Sequence, residues 1–250
     1  MNSEGLTSAD LAKIRNVDSP TIANVIELFD VRSYVAGYSN SSLKAIYPKL
    51  PPAVGYAVTA TFRASYPAES GDSYGGMPQL IADAMATPEP RIVVFQDLDE
   101  PCCAATYGEI MATTFQKFGF VGLITNGAAR DIDQVERLRF PCWASSAIAA
   151  HGYCRFLDAK VPVTVGGLRV TAGDLLHADA NGIVNIPRKI APAVAELCEP
   201  YIESEQIILE YLRTSQPSVI GYQNAVREAK QRMAELRVRA RSLLKNKVAK

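Results

Sequence analysis

The stretch Ile92-Val93-Val94-Phe95 constrains the fold most, because four consecutive apolar residues leave no face of a strand for water. Such a strand belongs in a sheet covered on both sides, the usual setting of parallel strands in α/β proteins. It ends in the acidic run Asp97-Leu98-Asp99-Glu100, and ordered alternation follows. A helix is expected over about 106–117, a strand over 120–125, a turn at Asn126-Gly127, a short helix over 132–138 and a strand over 141–144. This β-α-β-α-β run with short connections predicts a mixed α/β class.

Around it, Leu50-Pro51-Pro52 breaks the chain before a strand expected over 53–62. Residues 67–77, rich in Gly, Ser and Pro, read as a loop, and a helix is expected over 79–86. Gly166-Gly167 marks a two-residue hairpin turn between strands 161–165 and 168–170. A turn at Gly173-Asp174 and a strand over 182–186 close the β-rich part. Two short helices fill 7–28, with Ser19-Pro20 as a cap and first-turn proline. Helices are expected over about 191–214 and 222–244, with Pro200 able to kink or divide the first. The expected division is a domain over 1–187, N-terminal helices included, and a helical extension over 188–250.

Lysine plus arginine and aspartate plus glutamate balance at 26 each, so the net charge signals neither a nucleic acid nor a membrane. The extension is nonetheless basic after 225: Arg227, Lys230, Arg232, Arg237, Arg239, Arg241, Lys245, Lys247 and Lys250 face only Glu228 and Glu235. Such a tail reads as a solvated helix face or as a grip for an acidic partner or RNA. No apolar run approaches the ~18 residues of a membrane span, and 1–14 lacks the pattern of an export signal. A cytoplasmic protein is expected. Five cysteines without a C-x-x-C pair fit reduced thiols better than disulfides or zinc.

Two segments could carry chemistry. Gly108-Glu109-Ile110-Met111 opens a helix, and a helix N-terminus offers free N–H groups and partial positive charge to a carboxylate. Thr106-x-x-Glu109 also fits a capping box, in which Glu109 serves only its own helix. The second segment, Asn126-Gly127-Ala128-Ala129-Arg130-Asp131, follows an apolar strand, where α/β proteins commonly keep their sites. A carboxylate there can bind a hard cation and a guanidinium an oxyanion; an ordinary surface ion pair is the alternative.

Glu109 precedes Arg130-Asp131 with twenty residues between. Together with Gly119-Phe120-Val121-Gly122, Gly173-Asp174-Leu175-Leu176, 179–187 and Gly55-Tyr56-Ala57-Val58-Thr59, this order resembles the 4-hydroxy-4-methyl-2-oxoglutarate aldolases and RraA-like proteins over roughly 6–210. The resemblance implies a swivelling β/β/α sandwich with helical N-terminal and C-terminal segments, assembled as a trimer or a pair of trimers. It implies a Mg2+- or Mn2+-dependent lyase that cleaves a C–C bond of a 2-oxo acid to give pyruvate, by retro-aldol cleavage, oxaloacetate decarboxylation or both.

By the same resemblance Asp131 holds the metal, largely through waters, and Arg130 contacts substrate oxygens. Backbone groups of Gly108, Ile110 and Met111 receive the substrate carboxylate. Glu109 and a glutamate from a neighbouring subunit, Glu205 or else Glu203, are the candidates for proton transfer. The chain departs from the aldolases in carrying Glu109 where they carry Asp, and Gln134 where the family tends to be acidic. These changes bear on the aldol substrate more than on the metal.

A rival reading is a non-catalytic regulator that masks a ribonuclease, as RraA does. Methyl transfer to a quinone, a label met in this family, ranks last because no glycine-rich nucleotide loop follows a first strand. His151 could shuttle protons, but packing or backbone hydrogen bonding is the expectation for both it and His177. Asp97, Asp99 and Asp179 read chiefly as loop carboxylates that accept turn hydrogen bonds.

Overall fold

The computed structural model describes residues 6–69, 74–214 and 216–248. The helices and strands, in chain order, are α1 (Ser8–Arg15), α2 (Ser19–Glu27), β1 (Lys44–Ala45), β2 (Ala53–Arg63), α3 (Met77–Ala84), β3 (Arg91–Asp97), β4 (Ala105–Tyr107) and α4 (Glu109–Lys117). Next come β5 (Phe120–Thr125), β6 (Ala128–Ala129), α5 (Ile132–Arg137), β7 (Cys142–Ala144), β8 (Ser146–Ala147) and β9 (Arg155–Ala159). The chain then runs through β10 (Val163–Val165), β11 (Leu168–Val170), β12 (Leu175–Asp179), β13 (Gly182–Ile186), α6 (Ala191–Leu212) and α7 (Val219–Val248). Of the loop expected over 67–77, residues 70–73 lie outside the described residues.

Contacts divide the chain into two compact units, Val35–Pro187 and Met1–Tyr34 with Arg188–Lys250. The N-terminal helices therefore group with the C-terminal ones, not with the β-rich part to which the sequence reading attached them.

The β-rich unit is a mixed α/β sandwich of three layers. Its main sheet runs in the order β1-β7-β5-β3-β2-β12-β13, with β9 also on β2. The central pairs β2–β3, β3–β5 and β5–β7 are parallel. The apolar run does what its composition requires: Val93 and Phe95 belong to one buried cluster, Ile92 and Val94 to another, and all four are fully buried. On one face Leu80, Ile81 and Ala84 of α3, Met111, Ala112 and Phe115 of α4, and Val135 of α5 close the core. On the other, the hairpin β10–β11 contributes Val163, Val165, Leu168 and Val170. Hairpin, sheet and helices make the β/β/α order. Gly166 and Gly167 have φ of 53° and 74°, the left-handed pair that a tight hairpin turn demands.

The helical unit packs α1 and α2 on α6, and α6 on α7. Thr7 and Asp10 form a reciprocal capping box at α1. At α2 the cap is Asp18, whose Oδ1 accepts from Thr21 N at 2.9 Å, one residue before the Ser19 that was expected. Pro200 does not divide α6, which continues as one helix from Ala191 to Leu212. Along α7 the buried residues Ala225, Ala229, Leu236 and Ala240 recur at helical spacing and leave most basic side chains outward. Four of these cations are engaged within the unit, Arg232 with Glu235 one turn on at 3.6 Å. Arg241 pairs with Asp30 at 2.8 Å, Arg239 with Glu196, and Arg237 donates to Tyr34 Oη at 3.4 Å. No helix of the described residues is long and apolar enough to cross a membrane.

Phe95 is in ring contact with Phe62, Phe115 and Phe156. Phe95→Ala is expected to cost about 3–5 kcal/mol in urea unfolding; a loss below about 1 kcal/mol would contradict this account of the core.

Candidate functional site

Three strands of only two or three residues build the site. β4, β6 and β8 form a small parallel sheet of their own, with Tyr107 opposite Ala129 and Ala129 opposite Ala147. Because β4 and β6 run side by side in one direction, the residues after each emerge together: Gly108-Glu109 from β4, Arg130-Asp131 from β6. Arg130 N donates to Tyr107 O at 3.1 Å and extends the ladder to the site's edge. The twenty-residue spacing thus takes in the rest of α4, β5, β6 and the turns between them, the crossover that returns the chain to a neighbouring parallel strand.

The helix expected over 106–117 begins only at Glu109, because 105–107 is held in the small sheet. The capping box also fails. Thr106 is fully buried and donates to Asp97 Oδ2 at 3.4 Å, while the residue capping α4 is Gly108 in extended conformation with no side chain to offer. Asp131 supplies the missing acceptor from across the gap: Glu109 N donates to Asp131 Oδ2 at 2.9 Å. The carboxylate reaches back because Asp131 adopts φ 54°, ψ 45°, a left-handed conformation that Asp tolerates better than most residues.

Asp131 also lies 3.6 Å from Arg130 Nε, so one carboxylate orients both a helix end and a guanidinium. Gly108 makes this possible. A Cβ at that position would overlap the Asp131 carboxylate and come within 2.9 Å of Arg130 Nε.

Two donors are left over. Ala112 N, the first amide bonded within the helical turn, donates to Gly108 O at 3.0 Å, whereas the N–H groups of Ile110 and Met111 have no acceptor among the described residues. With Arg130 they border a cavity of about 790 Å3, within the range of roughly 300–1,000 Å3 usual for small-molecule sites. Gly108, Arg130, Ile110 and Met111 all line it. Glu109 is exposed on the first turn of α4 and is not among the lining residues.

Asp131 is the one expected metal ligand, and its side chain retains 30% of its exposure. No group of three or more His, Cys, Asp or Glu side chains that could hold a metal occurs among the described residues. A lone, accessible carboxylate with one oxygen committed to a backbone N–H suits a cation that keeps most of its water, as Mg2+ usually does. The residues present therefore fit a hydrated hard cation and not a closed protein cage.

Glu205 belongs to the helical unit, half-buried on α6 beside Tyr201, and desolvation pushes its carboxyl above the ordinary range. Glu203, its alternate, is exposed.

The remaining candidates have structural employment. Asp99 accepts from Ala64 N at 2.7 Å and from both Ser65 N and Ser65 Oγ; burial alone would raise its carboxyl, but these hydrogen bonds outweigh burial and hold it low. Asp97 accepts from Asp99 N at 2.9 Å, and burial pushes its carboxyl up. Asp179 Oδ1 accepts from Asn181 N at 2.7 Å in a turn. His177 is fully buried in β12.

His151 is different. It follows β8, its Nδ1 lies 2.7 Å from Gly152 O, and its ring borders the cavity. The cavity also takes Tyr74, whose phenol burial pushes up to about 12, and an apolar wall from α3, none of which the sequence reading placed in the site. One signal was present. Helix α3 is apolar on two faces, Met77, Leu80, Ile81 and Ala84 toward the core and Pro78, Ala82 and Met85 toward solvent, and a second apolar stripe implies a second thing to touch.

A small parallel ladder that brings a helix N-terminus and an Arg-Asp pair together on a β/β/α sandwich defines the class. Residues 22–185 match the RraA-like family described as Aldolase/RraA, and the chain belongs to that family. A Halalkalibacterium halodurans protein named "Putative 4-hydroxy-4-methyl-2-oxoglutarate aldolase" is 29% identical over 123 residues, which span 49% of this chain and 59% of that relative's length. In fold, the chain is similar to an uncharacterized protein from Pseudomonas syringae pv. tomato (TM-score 0.70, 18% identity, 90% of this chain and 96% of that one). It is also similar to Streptomyces coelicolor RraAS2, titled an unusual member of the RNase ES inhibitor RraA protein family (TM-score 0.64, 19% identity, 80% and 96%).

The capping role of Asp131 can be tested without any assay of function. Asp131→Ala is expected to lower unfolding stability by about 1–3 kcal/mol, from loss of the cap and a poorer left-handed residue. Asp131→Asn keeps an acceptor and the backbone preference and should cost less than half as much in the same denaturant titration. Equal losses would show that the carboxylate does not cap α4.

Proposed function

We infer that this chain is a divalent-metal-dependent lyase that cleaves a C–C bond of a 2-oxo acid and releases pyruvate, by retro-aldol cleavage of a 4-hydroxy-2-oxo acid, decarboxylation of oxaloacetate, or both. The observation that carries the reading is the convergence of Arg130 and the two acceptor-free amides of Ile110 and Met111 on one cavity, with the Asp131 carboxylate just behind them against Arg130 and the Glu109 amide. Family membership supports the same class.

The Ile110 and Met111 N–H groups bind the substrate carboxylate, assisted by the positive end of the α4 dipole. Arg130, oriented through Nε by Asp131, directs its outer nitrogens to the keto oxygen. A Mg2+ or Mn2+ held near Asp131 supplies Lewis-acid charge to the substrate oxygens when bound. In the aldol case the C3–C4 bond breaks, its electron pair enters the enolate, and the C4 hydroxyl proton leaves to a carboxylate. Protonation at C3 then yields pyruvate. In decarboxylation the departing fragment is CO2 and no hydroxyl proton is lost. Arg130 stabilises the enolate oxygen more than the ground-state ketone, which is what raises a rate.

Glu109, on the first turn of α4, and Glu205, brought from a neighbouring subunit of a trimer or hexamer, are the groups assigned to the proton. Glu203 is the alternate for the second role. The raised carboxyl of Glu205 brings it closer to the neutral range in which a base works best.

A coupled pyruvate assay on oxaloacetate and 4-hydroxy-2-oxo acids should show turnover that requires Mg2+ or Mn2+ and stops with chelator. Asp131→Asn, which spares the fold, and Arg130→Gln should each lower kcat/KM by about a hundredfold or more. Turnover indifferent to chelator sinks the mechanism. A folded protein inactive on the whole panel supports instead the reading as a ribonuclease-binding regulator.

A further inference from the structure

We propose that the preferred substrate of this site is a 4-hydroxy-2-oxo acid that ends in a bulky apolar group, alkyl or aryl, and not in a second carboxylate, which ranks oxaloacetate below it. The inference rests on the lyase reading for the position of the reacting carbons, and on the cavity wall for the rest.

The wall is made by two helix faces. On α3, Pro78, Ala82 and Met85 recur at i, i+4 and i+7, an exposed stripe flanking the one buried in the core, whose Met77 and Ile81 also border the cavity. On α4, Ile110 and Thr114 follow at the same spacing, and Phe118 continues the line past the helix end. Ile110, Met85 and Phe118 are 81%, 44% and 48% exposed, an unusual concentration of uncovered large apolar side chains around one opening. The α4 stripe begins at the helix N-terminus, where the carboxylate is to be held. It then runs roughly 12–15 Å along the axis at about 1.5 Å per residue. A ligand anchored at the amides therefore lays its far end along Thr114, Ala82 and Met85.

Charge decides between the possible far ends. Arg130 is the one formally charged side chain among the described residues that line the cavity, and it stands at the anchoring end with Gly108. A second carboxylate at the apolar end would lose its water without gaining a cation, a heavy penalty. A hydrocarbon end gains affinity with each buried methylene, about fourfold apiece at full burial. The cavity size suits a small molecule, and the fixed guanidinium and amides at one end match an amphiphilic acid better than a protein surface.

Equilibrium binding of pyruvate, 2-oxoglutarate, 2-oxooctanoate and phenylpyruvate to the full chain, with Mg2+ present, tests the proposal. 2-Oxooctanoate and phenylpyruvate are expected to bind about a hundredfold tighter than pyruvate, and 2-oxoglutarate no tighter than pyruvate. Ala82→Trp, at an exposed position, should fill the wall and cut the preference at least tenfold. Met85→Gln should reduce it in the same direction.

Flat affinities, a preference for 2-oxoglutarate, or a preference untouched by both variants overturns the proposal. So does a change in native mass of the assembly in Ala82→Trp with ligand binding unchanged, which would assign this face to a second copy. Graded binding without turnover of any substrate leaves the apolar site standing and sinks the lyase reading alone, while turnover with flat binding does the reverse.

Discussion

The site depends on one hydrogen bond, from Glu109 N to the Asp131 carboxylate, made possible by the parallel pairing of β4 and β6. Two residues of pairing fix the direction in which both segments leave the sheet. The carboxylate then closes the gap between them. Without it α4 would begin on a glycine that offers no cap, and Arg130 would lose its ion-pair partner. Stability of the helix end and orientation of the cationic side chain are thus one interaction. This explains why a residue in a left-handed conformation is tolerated there, and why the position opposite it has no side chain.

The centre of the β-rich fold was legible because its strands announce themselves by composition, whereas β1, β9 and β12 of the same sheet were not expected. Ile92 to Phe95 could only be a central strand, and the Gly166-Gly167 turn and β13 follow from turn chemistry and local pattern. The small sheet was not legible. Ala105–Tyr107, Ala128–Ala129 and Ser146–Ala147 are too short to show a period of two, and their pairing is set by the crossover through α4 and β5. The helix start was misread for the same reason: Thr106 and Glu109 carry the local signal of a capping box, and the tertiary pairing of 105–107 overrides it.

The candidate site divides likewise. Arg130, Asp131 and Gly108 were readable as a motif, since an ordered set of polar residues and glycines at fixed spacing survives in a linear sequence. The apolar wall was not, because Pro78, Ala82 and Met85 look like any amphipathic helix until the flanking face is known to be buried. The basic stretch of α7 shows a different limit. Counting charges left a solvated helix face or a grip for an acidic partner; most of these side chains are indeed exposed, but Arg239 and Arg241 meet Glu196 and Asp30 within their own unit. Sequence gives the sign of a charge and not its neighbour.

The charges at the site also constrain how ligands would enter it on the proposed reading. Asp131 and Arg130 cancel, and the end of α4 adds about half a positive charge beside the exposed Glu109 carboxylate, so the preference for an anion is local to the Ile110 and Met111 amides. A divalent cation arriving alone meets one carboxylate, of which one oxygen already accepts a backbone hydrogen bond, and a guanidinium that repels it. A 2-oxo acid bound at the Ile110 and Met111 amides brings in a further carboxylate and offsets that repulsion. Cation and substrate therefore strengthen each other's binding, with equal factors by linkage. On that reading a single metal-holding carboxylate would suffice, because the remaining negative charge would arrive with the substrate.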